Sequence, residues 1–335
     1  MLISLVSASF FSSCSQCNKP KKAKKDAGDT TFRIKALDDV TAMIKKDSLN
    51  ANLYFRRAQL YQGQKDLKSA LSDIYLAVIL DSANSDYNLY AAELFMENKE
   101  PRKAIAWMDH AISIDSSNIK YYLYGGKFAY TIKDYPVALS HFNEAIRRDM
   151  FNADIYYYRG MVYKETGDTT KALSAFQTCV EQDPKKSSAF LQIGLILQQR
   201  KDKMADKYFD NAVKADPKGT NALYAKGYGQ QEDGRYSESI TTFKQIIDID
   251  YKNEEALYAI GESYLQLDSL READKYFALA IKMDPKYAWA YYKRGRIAEE
   301  YKKYDEARSL YQDCLNIESD HKLALEGMKR LGQKK

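Results

Sequence analysis

Apolar residues recur through most of the chain at the spacing of one helical face, as in Ala172, Leu173, Phe176, Cys179 and Val180. Polar turn signals break the pattern at intervals, among them Thr166-Gly167-Asp168 and Asp233-Gly234-Arg235. Asp183-Pro184, Asp216-Pro217 and Asp284-Pro285 read as helix stops, because proline crowds the residue before it out of the helical region. Amphipathic helices joined by short turns are therefore predicted over most of the sequence.

The helices follow a period of 34 residues. In 254–287 the eighth residue is Gly261, the eleventh Tyr264, the twentieth Ala273, the twenty-fourth Phe277, the twenty-seventh Ala280 and the thirty-second Pro285. The same positions in 153–186 hold Gly160, Tyr163, Ala172, Phe176, Cys179 and Pro184, and 119–152 carries Gly126, Ala129, Ala138, Phe142 and Ala145. Segments 220–253 and 288–321 keep the register through Gly227, Ser239 and Phe243 and through Gly295, Ala307 and Tyr311. Segment 187–219 is one residue short, the gap falling in its inter-helix turn, and holds Gly194, Ala205, Phe209 and Ala212. Segments 51–84 and 85–118 are in register through Ala58, Ala70 and Ile74 and through Ala92, Ala104 and Met108. Eight repeats thus occupy 51–321.

This recurrence resembles the tetratricopeptide repeat family, whose Gly, Tyr, Ala, Phe, Ala and Pro positions are met in phase. The resemblance implies an all-α helical-repeat solenoid of about eight helix-turn-helix units. Small residues at the eighth and twentieth positions are expected to let the two helices approach. Aromatics at the eleventh and twenty-fourth are expected to fill the space between successive repeats. A flanking helix is predicted within 32–50, with Ala36, Val40 and Met43 in phase, and a capping helix and tail at 322–335, with Leu325 and Met328 as its apolar side.

Composition agrees with helix, since 15 Gly and 6 Pro are few for 335 residues. The net charge of +5 is not spread over the fold. Residues 1–35 hold seven basic and two acidic residues, and the other 300 balance. The repeats alone carry 37 basic and 40 acidic residues, so no phosphate-tracking stripe is evident and nucleic acid is not an expected partner.

The N-terminus has its own logic. Leu2 to Phe11 is a short apolar stretch, too short to span a membrane, followed by Ser12, Ser13 and Cys14. It resembles the lipobox of bacterial lipoproteins, with Phe11 where leucine is usual and no Lys or Arg ahead of the apolar stretch. The resemblance implies a signal peptide over 1–13, lipidation at Cys14 and a periplasm-facing anchor in the cell envelope, slightly favouring the outer membrane because Ser15 follows Cys14. Segment 14–31 reads as a lysine-rich flexible tether.

No catalytic, cofactor, metal or small-molecule site is expected. Cys14 and Cys17 lack a second ligand pair for zinc, and only three histidines occur, His110, His141 and His321. Among tetratricopeptide relatives the first helices line a concave surface that binds a peptide or partner segment. Its second, fifth, ninth and twelfth positions supply Phe55, Tyr130, Tyr157, Tyr224, Tyr228, Tyr258, Trp289, Tyr292 and Arg296, an aromatic groove with few charges. No repeat has Lys at the fifth position or Asn at the ninth, which disfavours the chaperone-type clamp on a terminal carboxylate. The expected role is a non-catalytic scaffold or adaptor at the envelope. The alternatives are a subunit of an envelope assembly machine (pilus, secretion or outer-membrane assembly) and an unlipidated secreted or cytosolic adaptor.

Overall fold

The computed structural model describes the backbone of residues 27–332 and the side chains of residues 35–332. The expected signal 1–13, Cys14 and most of the tether lie outside the described residues. The described residues are helical throughout and fall into two compact units, one ending at Asp149 and one beginning at Met150.

The first unit contains α1 (Ala27–Lys46), α2 (Ala51–Gly63), α3 (Leu67–Leu80), α4 (Ser85–Glu97), α5 (Pro101–Ile114), α6 (Ile119–Thr131) and α7 (Tyr135–Arg148). The second contains α8 (Ala153–Glu165), α9 (Thr169–Gln182), α10 (Ser187–Gln199), α11 (Ala205–Ala215), α12 (Asn221–Glu232) and α13 (Tyr236–Ile249). It continues with α14 (Glu254–Gln266), α15 (Leu270–Met283), α16 (Ala288–Glu300), α17 (Tyr304–Ile317) and α18 (Lys322–Gly332). From α2 to α17 consecutive helices pair as antiparallel hairpins, one hairpin per repeat.

The turn inside each hairpin has one solution. Its second residue is left-handed in all eight repeats: Lys65, Lys99, Lys133, Gly167, Lys201, Gly234, Asp268 and Lys302. This conformation lets Asp66 N–H reach back to Tyr61 O at 3.0 Å and Lys65 N–H to Gln62 O at 2.8 Å, satisfying carbonyls at the helix end. The next residue often caps the second helix. Asp66, Asp134 and Asp168 accept from the N–H groups of Ser69, Val137 and Lys171 at 3.1, 3.4 and 3.0 Å.

Packing within a hairpin adds to the expectation for the twenty-fourth position. Its aromatic shares a core with the next repeat, Phe243 with Ala256, Ala259 and Ile260 and Phe277 with Ala290 and Ile297. It also lies edge-on over the glycine at the eighth position of its own repeat. A Cβ placed on Gly126, Gly160, Gly194, Gly227, Gly261 or Gly295 would come within 2.4–2.7 Å of Phe142, Phe176, Phe209, Phe243, Phe277 or Tyr311. These rings are fully buried, each contributing about 1.5–3 kcal/mol by transfer from water. The first two repeats solve the same space with the sizes exchanged, Ala58 with Ile74 and Ala92 with Met108, all four buried.

The flanking helices also differ in detail from expectation. Helix α1 takes in residues 27–31, which the sequence assigned to the tether. Its buried residues are Val40 and Ile44, whereas Met43 is 47% exposed. In α18 the inward residues are Ala324, Gly327 and Leu331, and Leu325 is 41% exposed. The cause is the ring of Tyr311. Only a residue without a Cβ can lie against it at 327, where a Cβ would sit 2.6 Å from Tyr311 Cε2. That contact rotates Leu325 outward.

Helix α11 has 11 residues where the other second helices of the repeats have 14. The one-residue deletion in 187–219 thus removes most of a helical turn. It leaves a cleft of about 430 Å³ lined by Gln198, Asp202, Asp206, Phe209 and Arg235. The Arg235 guanidinium is held there by Asp206, Asp233 and Glu238 at 2.7, 3.1 and 3.0 Å, and its charge is spent within the chain.

Candidate functional site

Two of the aromatic positions anticipated from the repeats lie in the first unit. Phe55 packs its ring 5.1 Å from both Tyr87 and Tyr90. Tyr90 OH donates to Gln62 Oε1 at 2.7 Å, and burial, with Glu93 and Glu97 nearby, pushes the phenol up to about 12. Tyr130 lies 6.3 Å from Tyr135.

The others lie in the second unit. Tyr157, from α8, packs against Phe176 at 5.8 Å, and the Lys186 ammonium, paired with Asp154, sits over its ring. Tyr224 and Tyr228 stand one turn apart on α12, with rings stacked at 6.0 Å and 16°. Tyr258, on α14, lies 5.3 Å from Phe277 and 5.3 Å from Tyr287. Each of Tyr224, Tyr228 and Tyr258 is half-buried. Arg296 is exposed, with its guanidinium 3.7 Å from Glu300.

Tyr292 departs from the open arrangement. It is 6% exposed, enclosed by Tyr311 at 6.0 Å and His321 at 5.2 Å. Trp289, 45% exposed, covers His321 at 4.6 Å. The reason is the capping helix. His321 Nδ1 accepts the Ala324 N–H at 3.2 Å at the start of α18, which fixes the imidazole over Tyr292. Tyr292 therefore belongs chiefly to the packing of the last repeat.

The structure adds four residues to the face around Tyr224, Tyr228 and Tyr258. Tyr228 OH donates to Glu255 Oε1 at 3.3 Å. Tyr224 OH donates to Asn253 Oδ1 at 2.5 Å. Tyr287 stands at the last position of its repeat, just before α16, and turns its ring onto Tyr258. Glu262 Oε2 accepts from Lys293 Nζ at 2.9 Å, whereas its Oε1 is buried with no hydrogen-bond partner among the described residues. Burial raises the phenols of Tyr224, Tyr228, Tyr258 and Tyr287 far above their ordinary value, and Glu255 or Glu262 adds to the rise at each. Burial among these rings also raises the Glu255 carboxyl.

Glu255 occupies an inward second position and Glu262 an inward ninth, so their placement follows from the repeat. Tyr287 does not, because the thirty-fourth position lies outside the first helix. The number of acidic groups on this face exceeds the expectation of an aromatic groove with few charges.

Elsewhere, Cys179 and Cys314 are buried, their thiols pushed up to about 12 and about 11 by desolvation, which leaves them packing residues. Among the described residues no group of His, Cys, Asp and Glu is arranged to hold a metal ion. No described helix is long and apolar enough to cross a membrane.

Comparison with known proteins agrees with this architecture. Models of the tetratricopeptide repeat match residues 153–186, 254–287 and 276–309. The C-terminal part of a repeat-containing protein of this kind from Cytophaga hutchinsonii superposes with a TM-score of 0.63 at 14% identity, over 72% of this chain and 99% of that one. A tetratricopeptide repeat protein from Parabacteroides merdae is similar at a TM-score of 0.49 and 18% identity, over 74% of this chain and 98% of that one. In sequence, anaphase-promoting complex subunit 3 of Schizosaccharomyces pombe is 26% identical over 126 residues, 38% of this chain and 19% of that protein. The chain therefore carries tetratricopeptide repeats, folded as the all-α helical hairpins of tetratricopeptide-repeat solenoids.

Proposed function

We propose that the chain is a non-catalytic interaction scaffold that binds a peptide or partner segment on the aromatic face of its second unit. One observation carries this reading. Tyr224 and Tyr228 present stacked, half-buried side chains from one repeat, and Tyr258 presents another from the next. Tyrosine offers a wide apolar face and a polar tip at little entropic cost, which suits recognition of a segment by shape. The test is in-cell crosslinking of the wild type and of a Tyr224→Ala, Tyr228→Ala, Tyr258→Ala variant. Partners crosslinked to the wild type should be depleted on the variant. An undiminished set would move binding to another surface.

The proposal extends to location. The Ser12-Ser13-Cys14 sequence supports a lipid anchor at Cys14, facing the periplasm and holding the partner near the envelope. Metabolic labelling with a fatty-acid analogue should mark the wild type and not Cys14→Ala. Equal labelling of both would remove the anchor from Cys14.

A further inference from the structure

The tyrosine face contains an electrostatic imbalance that shape recognition alone does not use. Tyr228 bonds Glu255 and stacks on Tyr224, and Tyr287 lies against Tyr258; desolvation and the carboxylates Glu254, Glu255 and Glu262 act together on the four phenols. Against these three carboxylates the neighbouring repeat supplies Lys293, bound to Glu262 Oε2 at 2.9 Å. Glu255 has no ion-pair partner among the described residues; its bond is from a neutral phenol, Tyr228 OH. Glu262 Oε1 is a buried acceptor with no hydrogen-bond partner among the described residues. An unmade hydrogen bond of that kind costs stability, so a site that keeps one is suited to a donor from outside.

Resting on the reading of this face as a partner-binding surface, we infer that it is a cage for one cationic side chain. A lysine or arginine of the partner segment enters among Tyr224, Tyr228, Tyr258 and Tyr287, facing Glu255 and the free oxygen of Glu262. The ring faces supply the negative side of their quadrupoles. Glu255 supplies the counter-charge, and Glu262 Oε1 accepts an N–H. Apolar residues flanking the cation would lie on the exposed parts of the same rings. An anionic segment is rejected, because it would meet Glu254 and Glu255 across a partly desolvated surface.

A random peptide library selected on the intact purified chain tests this, with Glu255→Gln, Glu262→Gln as the comparison variant. Both changes keep size and hydrogen-bonding shape and remove charge, and a thermal melt checks that the variant is folded. Enriched peptides should share a lysine or arginine at a fixed position. Replacing that residue by norleucine or citrulline should weaken binding to the wild type about tenfold or more, and to the variant less than about twofold. Enriched peptides without a shared cation, whose binding is nevertheless lost in Tyr258→Ala, would overturn the cage and leave the partner-binding face standing. Equal losses on wild type and variant would also overturn the cage. Failure of the wild type to enrich any peptide would overturn both.

Discussion

Phe277 lies edge-on over the backbone of Gly261, so close that a Cβ at 261 would stand 2.6 Å from Phe277 Cε1. The ring is fully buried and has no room to swing away. Gly261→Ala should therefore cost about 1–3 kcal/mol. Phe277→Ile alone should cost a similar amount by leaving a cavity. The double variant reproduces the Ala58 and Ile74 pair of the first repeat, and should cost less than the sum. Urea denaturation of the four proteins measures the coupling. Strict additivity would show that the two positions do not share one space.

The left-handed turn residues make a second prediction. Lys302 holds φ at 61° and Lys133 at 61°, where a Cβ crowds the backbone. Lys302→Gly should stabilise the chain by about 0.5–1 kcal/mol, the relief of strain exceeding the extra entropy of an unfolded glycine. Gly167, at the equivalent place with φ of 82°, should respond in the opposite sense to alanine. Thermal melts of Lys302→Gly and Gly167→Ala decide it, and shifts of the same sign would contradict the argument.

The end of the second unit depends on His321. Its imidazole caps α18 and packs between Trp289 and Tyr292. His321→Ala should cost about 1–3 kcal/mol and speed amide exchange in α18 ahead of the rest of the unit. His321→Asn should restore part of the cap but none of the aromatic packing. Uniform exchange across the unit in His321→Ala would show that the last helix is not held this way.

Acid should loosen the same helix. Burial by itself would raise the Glu299 carboxyl, but hydrogen bonds from Arg330 and Tyr311 outweigh it and hold the group below 4.5. A depressed carboxylate contributes its stability in full above the ordinary value of the unfolded chain. The contribution is lost as pH falls through the lower folded value. Glu299→Gln should therefore be less stable than the wild type at neutral pH, with the difference shrinking below about pH 4. A stability difference that stays constant from neutral to acid would contradict this.

The 34-residue register was legible because eight copies repeat the same small and aromatic positions, and those residues are the ones the hairpin packs on itself. The turn was legible only at Gly167 and Gly234. At Lys65, Lys99, Lys133, Lys201 and Lys302 the same conformation is imposed by the helix-end hydrogen bonds on a residue with no preference for it. The burial of Tyr292 under His321 and the outward turn of Leu325 both come from the docking of α18 on the last repeat, a contact that no local pattern encodes. On the tyrosine face, Tyr224, Tyr228 and Tyr258 followed from repeat position. Tyr287 enters from the loop before α16, and the lack of an ion-pair partner at Glu255 becomes visible only when neighbouring repeats are in place.

The central claim is that the Tyr224, Tyr228 and Tyr258 face binds a partner segment. Its most direct test is calorimetric titration of the segment mapped by crosslinking into the purified chain, compared with Tyr258→Ala. A saturable one-to-one complex is expected, which Tyr258→Ala weakens by about 30-fold or more through the loss of a central aromatic anchor. Equal affinity for the two proteins would place the binding surface elsewhere.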